Sequence, residues 1–529
     1  MAIVKRSIRA FLAPVEDLFD RMFTPAWNPF YQLGALGWFF YWVITVSGIY
    51  LYIFFDTGIT QAYESVEYMT NVQWYAAGVM RSLHRYASDA LVVVVVIHIL
   101  REFSLDRMRG NRWFAWFTGI PVLWFIYAAG ITGYWLVWDM MAQYVAITTA
   151  EWLDSLPFFG GSIAANFADS TKLSARFFTL IMFIHIAVPL LMLFLMWLHI
   201  QRHAHAKQNP PRGLAIGTLA ALLVLSLVYP ATSHDPADLA AVPARLDLDW
   251  FYLGAYPLFD VVSGGFMWLV AVGATMILAL LPWLPPKRRL PVAAVDLENC
   301  NGCTRCYDDC PFSAIEMVPR SDGRPFDREA VVVPSNCMSC GICVGACPTA
   351  TPFRRAQTLS PGIELPDHSI ADLRESTIAA TNDMAGDSRV VVYACEHSTG
   401  APDLEGDDTH VVTMPCVAMI PPSFFDFVIS RRLADGILVS GCREGDCHFR
   451  LGARWTRQRL ARERDPFVRK RVPRERIETC WLGGSRRGQR AQVLEQFRQR
   501  LAELEPVKRP RLGESTEPDG AVNGRDADA

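Results

Sequence analysis

Apolar residues are concentrated in the first half of the chain. Six runs there are long enough to cross a bilayer, at residues 33–55, 78–102, 113–138, 176–201, 213–230 and 260–283. After residue 290 the apolar residues form short strand-like runs in a charged and polar background, and helical stretches separate most of them. The pattern predicts an all-α transmembrane bundle of six helices followed by soluble domains.

Charged residues between the apolar runs predict the orientation of the bundle. One set of segments is basic and contains Lys5, Arg6, Arg9, Arg101, Arg107, Arg109, Arg112, Arg202, Lys207, Arg212 and the run PPKRRL, whereas the opposite loops carry mainly Asp and Glu. By the positive-inside rule both termini lie in the cytoplasm. The N-terminal run MAIVKRSIRAFLAPVEDLF has no apolar core with a cleavage site, so we interpret it as a surface amphipathic helix rather than a signal peptide.

Two of the apolar runs carry histidines at the same spacing. His84 and His98 lie on the second run, and His185 and His199 lie on the fourth, each pair fourteen residues apart. Fourteen residues make nearly four helical turns, so each pair shares one helix face with about 21 Å between its members. Ionisable residues in hydrocarbon are costly and usually functional, which argues against a role in packing alone. Since two axial imidazoles complete the coordination of a haem, the spacing predicts two haems.

Glycines with the same fourteen-residue spacing, two arginines three residues outside the histidines, and the segment GYWLVWDMM accompany these pairs. Together they resemble the cytochrome b family of cytochrome bc complexes, over roughly residues 20 to 285. The resemblance implies a di-haem four-helix core. The positive-inside orientation then places an outer b haem at His84 and His185 and an inner one at His98 and His199. The resemblance also implies haem-propionate partners and room for the porphyrins at Arg81, Arg101, Gly34, Gly48, Gly119 and Gly133.

The loop between the last two apolar runs contains the tetrapeptide LDWF at residues 248–251. It resembles the stretch of the same family that lines the outer quinol pocket, although the Pro and Tyr of that stretch are lost, and it implies Asp249 and Trp250 as catalytic residues of a quinone pocket. An acidic-aromatic loop is also common at membrane interfaces for anchoring alone. Asp89, inside the second run, is either a proton-handling group or a carboxylate that neutralises Arg85.

All 13 cysteines follow residue 299, in spacings typical of metal ligands rather than disulfides. Two runs have the bacterial ferredoxin spacing C-x2-C-x2-C-x3-C-P, in which the fourth cysteine ligates the other cluster. Two zinc sites, the alternative, would not need the terminal C-x3-C-P. We therefore predict an α+β bacterial ferredoxin fold with two [4Fe–4S] clusters, one held by Cys300, Cys303, Cys306 and Cys347, the other by Cys337, Cys340, Cys343 and Cys310.

Strand-like runs near the C-terminus each end at or near a cysteine: VVVYAC, HVVTMPC, GILVSGC and RIETCW. Ligands of open parallel sheets bind beyond the carboxyl ends of the strands, so these cysteines are expected to converge. The run GCREGDCHFRLG resembles the delta subunit of methyl-viologen-reducing hydrogenases, from about 388 to 503. The resemblance implies an α/β parallel-sheet domain with one [2Fe–2S] cluster, held by Cys395, Cys416, Cys442 and Cys447, with Cys480 as an alternative ligand. A zinc site and a set of buried cysteines without metal are the competing interpretations.

The predicted organisation is multidomain. A cytochrome b-like membrane domain occupies 1–289, with its di-haem core at about 30–205 and two further spans at about 213–283. A 2[4Fe–4S] ferredoxin domain at 290–353, a linker with one short helix at 354–387, the [2Fe–2S] domain at 388–505 and a disordered tail at 506–529 follow. The net charge of −3 gives no indication of nucleic-acid binding.

These features predict a membrane-bound electron-transfer subunit of a multisubunit oxidoreductase in the bacterial cytoplasmic (inner) membrane, with its iron–sulfur domains on the cytoplasmic side. Electrons would pass between the membrane quinone pool and a cytoplasmic flavoprotein or a dehydrogenase, hydrogenase or heterodisulfide-reductase-like subunit. A second copy of the membrane domain is a further candidate partner. Quinol oxidation that feeds a cytoplasmic acceptor, and a non-catalytic docking or assembly role, are the alternatives.

Overall fold

The computed structural model describes residues 1–504 apart from 160–162, 169–172, 202–205, 242–244, 287–289, 355–358, 383, 387, 399, 444 and 484–486. The predicted tail at 506–529 lies outside the described residues. The chain divides into two compact units. The first contains Met1–Val292, Cys310–Glu316 and Val332–Met338, and the second contains Ala293–Asp309, Met317–Val331 and the chain from Ser339. The boundaries of the units therefore pass through the ferredoxin-like region, and the domain at 290–353 stays a prediction.

Helices make up the N-terminal part of the first unit. They are α1 Ala2–Trp27, α2 Leu33–Phe54, α3 Gln61–Glu67, α4 Val79–Ser104, α5 Trp113–Val137, α6 Met140–Asp154, α7 Ala165–Ala168, α8 Ala175–Ile200, α9 Arg212–Val228 and α10 Gly264–Leu280. Among the described residues, five segments are long and apolar enough to cross a membrane: Leu33–Phe54, Trp74–Ser104, Gly110–Val137, Ala175–Ile200 and Gly264–Trp283. They coincide with five of the six predicted runs. The remaining run, 213–230, forms α9, whose 17 residues lie at the short end of the range for a span.

The helices that carry the histidines pack against the helices that carry the spaced glycines. Helix α2 lies along α4, and α5 lies along α8. Buried side chains between them, such as Leu36, Leu91, Ile126 and Phe178, form one apolar cluster. Large apolar side chains on the outer faces remain exposed, as expected for helices whose solvent is lipid.

Helix α1 confirms the predicted amphipathic segment. Its exposed side chains include Val4, Phe11 and Leu18, which are seven residues apart and share one face. Glu16 on the opposite face is 0% exposed, and its Oε1 accepts from Nε of Arg101 at 2.8 Å. The polar face therefore packs on protein and the apolar face is left outside, which suits a helix that lies on a membrane surface.

The described residues of the rest of the chain form helices and three small sheets. The elements are β1 Ala294–Val295, α11 Arg305–Asp309, β2 Ile315–Pro319, β3 Arg328–Val332, α12 Ile342–Ala346, β4 Ile363–Glu364, α13 Ile370–Asn382, β5 Val390–Cys395, β6 Thr409–Met414, α14 Ser423–Ser430, β7 Gly436–Gly441, α15 Gly452–Ala461, β8 Ile477–Trp481 and α16 Arg487–Ala502.

Part of the predicted linker is built into the fold. Strand β4 pairs antiparallel with β1, so that Ile363 lies opposite Val295. A methyl group on Gly362 would lie 2.7 Å from the carbonyl oxygen of Asn299. The pairing satisfies backbone groups of β1 that would otherwise be left open. The predicted short helix is α13, which packs against the sheet described next.

A four-stranded parallel sheet forms the C-terminal region, in the order β6-β5-β7-β8. All four predicted strand-like runs are strands, and every residue of β5 and β7 is buried. Continuous apolar runs are typical of central parallel strands, which are covered on both faces. Because the strands are parallel, their carboxyl ends meet at one edge, where Cys395 and Cys442 lie 3.7 Å apart (Sγ to Sγ).

Candidate redox centres

The outer histidine pair meets across the helix bundle. The ring centroids of His84 and His185 are 6.3 Å apart, with 59° between the ring planes. A methyl group on Gly48 would lie 3.0 Å from Cε1 of His84, and one on Gly133 would lie 3.1 Å from Cε1 of His185. Each ring of the pair therefore borders a position where the neighbouring helix has no side chain.

Glycines also face the second histidine pair, His98 and His199. A methyl group on Gly119 would lie 3.2 Å from Cε1 of His199, and one on Gly34 would lie 3.8 Å from Cε1 of His98. Each of the four predicted glycines thus faces one of the four predicted histidines, and the contacts join α2 to α4 and α5 to α8.

Hydrogen bonds set which nitrogen of the imidazoles is available. Nδ1 of His84 lies 2.9 Å from the carbonyl oxygen of Ile44, so Nδ1 carries the proton and Nε2 keeps its lone pair. Hydroxyl groups approach Nδ1 in three of the four cases: Ser47 at 3.1 Å from His84, Thr132 at 3.1 Å from His185 and Thr118 at 3.4 Å from His199. Hydrogen bonds at the far nitrogen orient a ligating histidine and raise its basicity.

Sequence reasoning missed these three hydroxyl residues, although a signal for them was present. Each one directly precedes one of the spaced glycines, in Ser47-Gly48, Thr118-Gly119 and Thr132-Gly133. The helix turn that opens space beside an imidazole therefore also supplies an acceptor for it.

The outer pair has the geometry that a bis-histidine haem requires. A metal ion midway between the two centroids would lie about 3 Å from each ring centre, which is consistent with a metal–nitrogen bond of about 2 Å plus the ring radius. The glycines leave space beside the same rings, which a bulky planar group would need. The residues therefore fit a haem, which would be held by Nε2 of His84 and of His185.

The predicted propionate partners are engaged with protein groups. Nη2 of Arg81 donates to Oγ of Ser233 at 2.8 Å, and Nη1 hydrogen-bonds to Thr70. Arg101, which bonds to Glu16, also lies over the ring of Tyr31 at 5.2 Å. Both arginines sit at the ends of the helix that carries His84 and His98, as predicted, and their role toward a haem remains a prediction.

Asp249 belongs to a charged cluster. Its Oδ2 accepts from Nη2 of Arg85 at 2.7 Å, and its Oδ1 accepts from the backbone N–H of Tyr252 at 2.8 Å. Nε of the same arginine lies 3.2 Å from Oδ2 of Asp89. The structure thus brings Asp89 and Asp249 onto one guanidinium, and it shows the predicted pairing of Asp89 with Arg85. Trp250 is 73% exposed and stands outside this cluster.

Four cysteines line one cavity in the second unit. Its lining includes Cys300, Cys303, Cys306 and Cys347 together with Met317, Ala330 and Ile363. Three of these cysteines come from the first ferredoxin run and one from the second, which is the predicted set. The four residues fit a [4Fe–4S] cluster, which they would hold as thiolates.

The other predicted set is divided between the two units. Cys310 and Cys337 belong to the first unit, and Cys340 and Cys343 belong to the second. The backbone N–H of Ala314 donates to Sγ of Cys310 at 3.2 Å, a contact that suits a cluster ligand. Their shared ligation of one cluster remains a prediction.

Four cysteines converge at the carboxyl edge of the parallel sheet. The 3.7 Å between Sγ of Cys395 and Sγ of Cys442 matches two thiolates on one tetrahedral metal, which stand about 3.8 Å apart for bonds of about 2.3 Å. A methyl group on Gly452 would lie 2.4 Å from Sγ of Cys416 and 3.5 Å from Sγ of Cys447. Among the described residues, no three His, Cys, Asp or Glu side chains form a compact site for a single metal ion.

Cys480 lies in a different environment from the other four. It packs in an apolar cluster with Val392, Leu438 and Phe497, and burial raises the pKa of its thiol to about 11. Its role as an alternative ligand remains untested, and we keep Cys395, Cys416, Cys442 and Cys447 as the predicted set.

The glycine positions offer a direct test of the haem sites. Gly48→Ala should weaken haem binding by about 1–3 kcal/mol, the usual cost of extra volume in a filled site, although alanine stabilises an isolated helix by about 1 kcal/mol relative to glycine. Haem per polypeptide, measured by pyridine haemochrome after detergent washing, reports the loss. Gly273→Ala on α10 is the matched control because nothing lies within 4 Å of its Cβ position. Equal haem content in the two variants would contradict the assignment.

Comparisons with known proteins identify three regions. Residues 18–205 match the family described as cytochrome b/b6/petB, residues 299–351 match the 4Fe-4S dicluster domain, and residues 390–505 match the methyl-viologen-reducing hydrogenase delta subunit. These matches confirm all three resemblances seen in the sequence.

Relatives of the first region are cytochromes. Cytochrome b6 of Trichodesmium erythraeum is 28% identical over 192 residues, which cover 35% of this chain and 86% of that protein. Cytochrome b6 of Gracilaria tenuistipitata is 26% identical over 192 residues, covering 35% of this chain and 87% of that protein. Cytochrome b of Rhodospirillum rubrum is 24% identical over 296 residues, covering 49% of this chain and 71% of that protein.

A solved structure titled "Hyperthermophilic respiratory Complex III" aligns with 48% of this chain and with 75% of its own chain. The two are 19% identical, and the TM-score is 0.40. The family matches and the five apolar helices indicate a multi-pass membrane protein that transfers electrons. One polypeptide therefore contains three successive regions that match the cytochrome b, 4Fe-4S dicluster and hydrogenase delta-subunit families.

Proposed function

We propose that the protein is the membrane subunit of a quinone-linked oxidoreductase. It passes electrons between a cytoplasmic flavoprotein or dehydrogenase and the quinone pool, through one [2Fe–2S] cluster, two [4Fe–4S] clusters and two b haems. The membrane is the bacterial inner membrane, with both termini in the cytoplasm. The observation that carries the proposal is the 6.3 Å separation of the His84 and His185 rings beside two glycine positions.

Contacts within the first unit support a route from the iron–sulfur region to the inner haem. The backbone N–H of Asn111 approaches Sδ of Met338 at 3.0 Å, and a methyl group on Gly110 would lie 2.5 Å from the same sulfur atom. Met338 directly follows Cys337, a predicted cluster ligand. The loop at 110–112 leads into α5, the helix of Gly119, which faces His199. One short stretch of backbone thus links a predicted [4Fe–4S] ligand to the inner haem site.

Reconstitution in sealed vesicles tests the proposal. A reduced viologen dye supplied on the cytoplasmic side should reduce the haems, and a water-soluble quinone analogue should reoxidise them. Absence of haem and acid-labile sulfide in the purified chain would overturn the proposal in favour of a docking or assembly role. Haem reduction by quinol, followed by reduction of the iron–sulfur centres, would reverse the direction of flow.

Asp249 allows the outer quinone site to be tested separately. Quinone reduction takes up two protons, and loss of a general acid or base costs about 100-fold or more in rate. Asp249→Asn should therefore lower quinone turnover by about that factor. Electrons that reach an outer site must cross the membrane from one haem to the other, against or along the membrane potential. Moving one charge is worth about 2.3 kcal/mol per 100 mV, so an uncoupler, which removes the potential, should change turnover.

Asp247→Asn provides the matched control for that variant. It makes the same charge change two residues away, but Asp247 is 84% exposed and pairs with the exposed Arg245, whereas Asp249 is 16% exposed. Unchanged turnover in Asp249→Asn, with no response to an uncoupler, would leave an inner quinone site as the one in use.

A further inference from the structure

In the second unit, the segment after Cys416 touches the segment between Cys343 and Cys347. Gly345 lies midway between those two cysteines, and a methyl group on it would lie 2.0 Å from the carbonyl oxygen of Ala418. No real side chain tolerates that distance, so the contact requires glycine at position 345. Ligand segments of the candidate [2Fe–2S] and [4Fe–4S] centres therefore meet backbone to backbone.

Arg459 bonds to both sides of this contact. Its Nη1 donates to the carbonyl oxygen of Ala418 at 2.9 Å, and its Nη2 donates to the carboxylate of Asp309. Nε of Arg464 donates to the second oxygen of the same carboxylate at 2.7 Å. Asp309 directly precedes Cys310, a predicted [4Fe–4S] ligand, and Ala418 lies two positions after Cys416, a predicted [2Fe–2S] ligand. Arg459 therefore links the two ligand segments.

The charges of this group are removed from solvent. Arg459 is 2% exposed and Asp309 is 3% exposed. A buried guanidinium is costly unless it is paired with an opposite charge, as Arg459 is with Asp309. If Arg459 were lost, Asp309 would keep Arg464 as its ion-pair partner, so its negative charge would stay compensated. The carbonyl oxygen of Ala418 would lose its donor, and the contact between Ala418 and Gly345 would loosen.

We infer that Arg459 is a positioning residue for electron transfer between the delta-subunit-like region and the ferredoxin-like region. By holding Ala418 against Gly345, it keeps the two sets of ligands adjacent. The inference rests on the proposed function, because it assumes clusters at these cysteines. In the step, one electron leaves a reduced [2Fe–2S] centre and enters an oxidised [4Fe–4S] centre. No bond breaks and no proton moves, and a reduced flavin of the partner, or a reduced viologen dye in the assay, supplies the electron.

Arg459→Gln in the full-length protein tests the inference. We expect unchanged iron and sulfide content, but loss of the faster spin relaxation that a neighbouring reduced [4Fe–4S] cluster gives the reduced [2Fe–2S] signal. Stopped-flow reduction of the [4Fe–4S] centres by the viologen dye should slow about tenfold or more, as displaced reacting groups do.

Arg389→Gln is the matched control. Arg389 forms an equally buried ion pair with Asp435, with 3.1 Å between Nε and Oδ2, at the start of β5 and thus at the far end of the strand from Cys395. It should lower stability as much as Arg459→Gln, yet leave the relaxation and the rate unchanged. A purely structural role for Arg459 would make the two variants behave alike, which would overturn the inference while the proposed function stood.

A second pair of variants leaves all charges in place. Gly345→Ala should part the two segments and reproduce the loss of relaxation enhancement, whereas Gly488→Ala on α16, with nothing within 4 Å of its Cβ position, should not. Wild-type relaxation and rate in Gly345→Ala would overturn the inference. Absence of iron–sulfur signals in the wild-type protein would instead overturn the proposed function, and the inference with it.

Discussion

Replacement of His98 by alanine is expected to halve the haem content of the protein. The inner haem should be lost, because iron would keep only His199 as an axial ligand, and most of the outer haem should remain, because His84 and His185 hold it about 20 Å away along the helices. Haem per polypeptide by pyridine haemochrome, together with a redox titration of the haem bands, measures the change. His185→Ala should remove the other component of the titration.

His234→Ala controls for the loss of an imidazole. His234 is exposed in the loop after α9 and is none of the four predicted ligands, so both haems should stay bound in this variant. If His98→Ala retained two haems, or lost only non-haem iron, the ligand assignment would be wrong.

Serine variants of the ferredoxin cysteines should have an equally large effect. Cys310→Ser and Cys337→Ser are expected to abolish the same [4Fe–4S] signal, although Cys310 lies in the other sequence run, because the fourth cysteine of each run ligates the distant cluster. Cys306→Ser and Cys347→Ser should abolish the other signal. EPR spectra of dithionite-reduced protein, with iron and sulfide analysis, distinguish the two outcomes.

The same experiment contains its own control. Cys480→Ser changes a cysteine that packs among apolar side chains in the parallel-sheet region, and both [4Fe–4S] signals should survive it. Crossed ligation is refuted if Cys310→Ser and Cys306→Ser remove one and the same signal. The cavity shared by Cys347 and the first run favours the crossed arrangement.

Features set by local spacing were predictable from the sequence. The histidines and glycines recur at fourteen residues because four helical turns bring them to one face. The strands of the parallel sheet follow from short continuous apolar runs. In each case the prediction depends on residues that are a fixed number of positions apart in the sequence. It therefore does not require knowing which distant segments are in contact.

Contacts between distant segments were not predictable in the same way. Arg85 and Asp249 are 164 residues apart, and nothing in either sequence neighbourhood specifies the other. The pairing of β4 with β1 has the same origin, because two short strands with little pattern of their own become a sheet only when tertiary packing brings them together. For that reason, residues 363–364 were expected in a linker.

The ion pair between Glu16 and Arg101 has a consequence for the order in which the protein is made. The two residues are 85 positions apart, and at roughly 5–20 residues per second the ribosome needs about 4–17 s to supply the arginine after the glutamate. During that interval Glu16 lacks its Arg101 partner. The ion pair therefore forms only after α4 has been synthesised, so Glu16 becomes buried against α4 later than α1 itself is made.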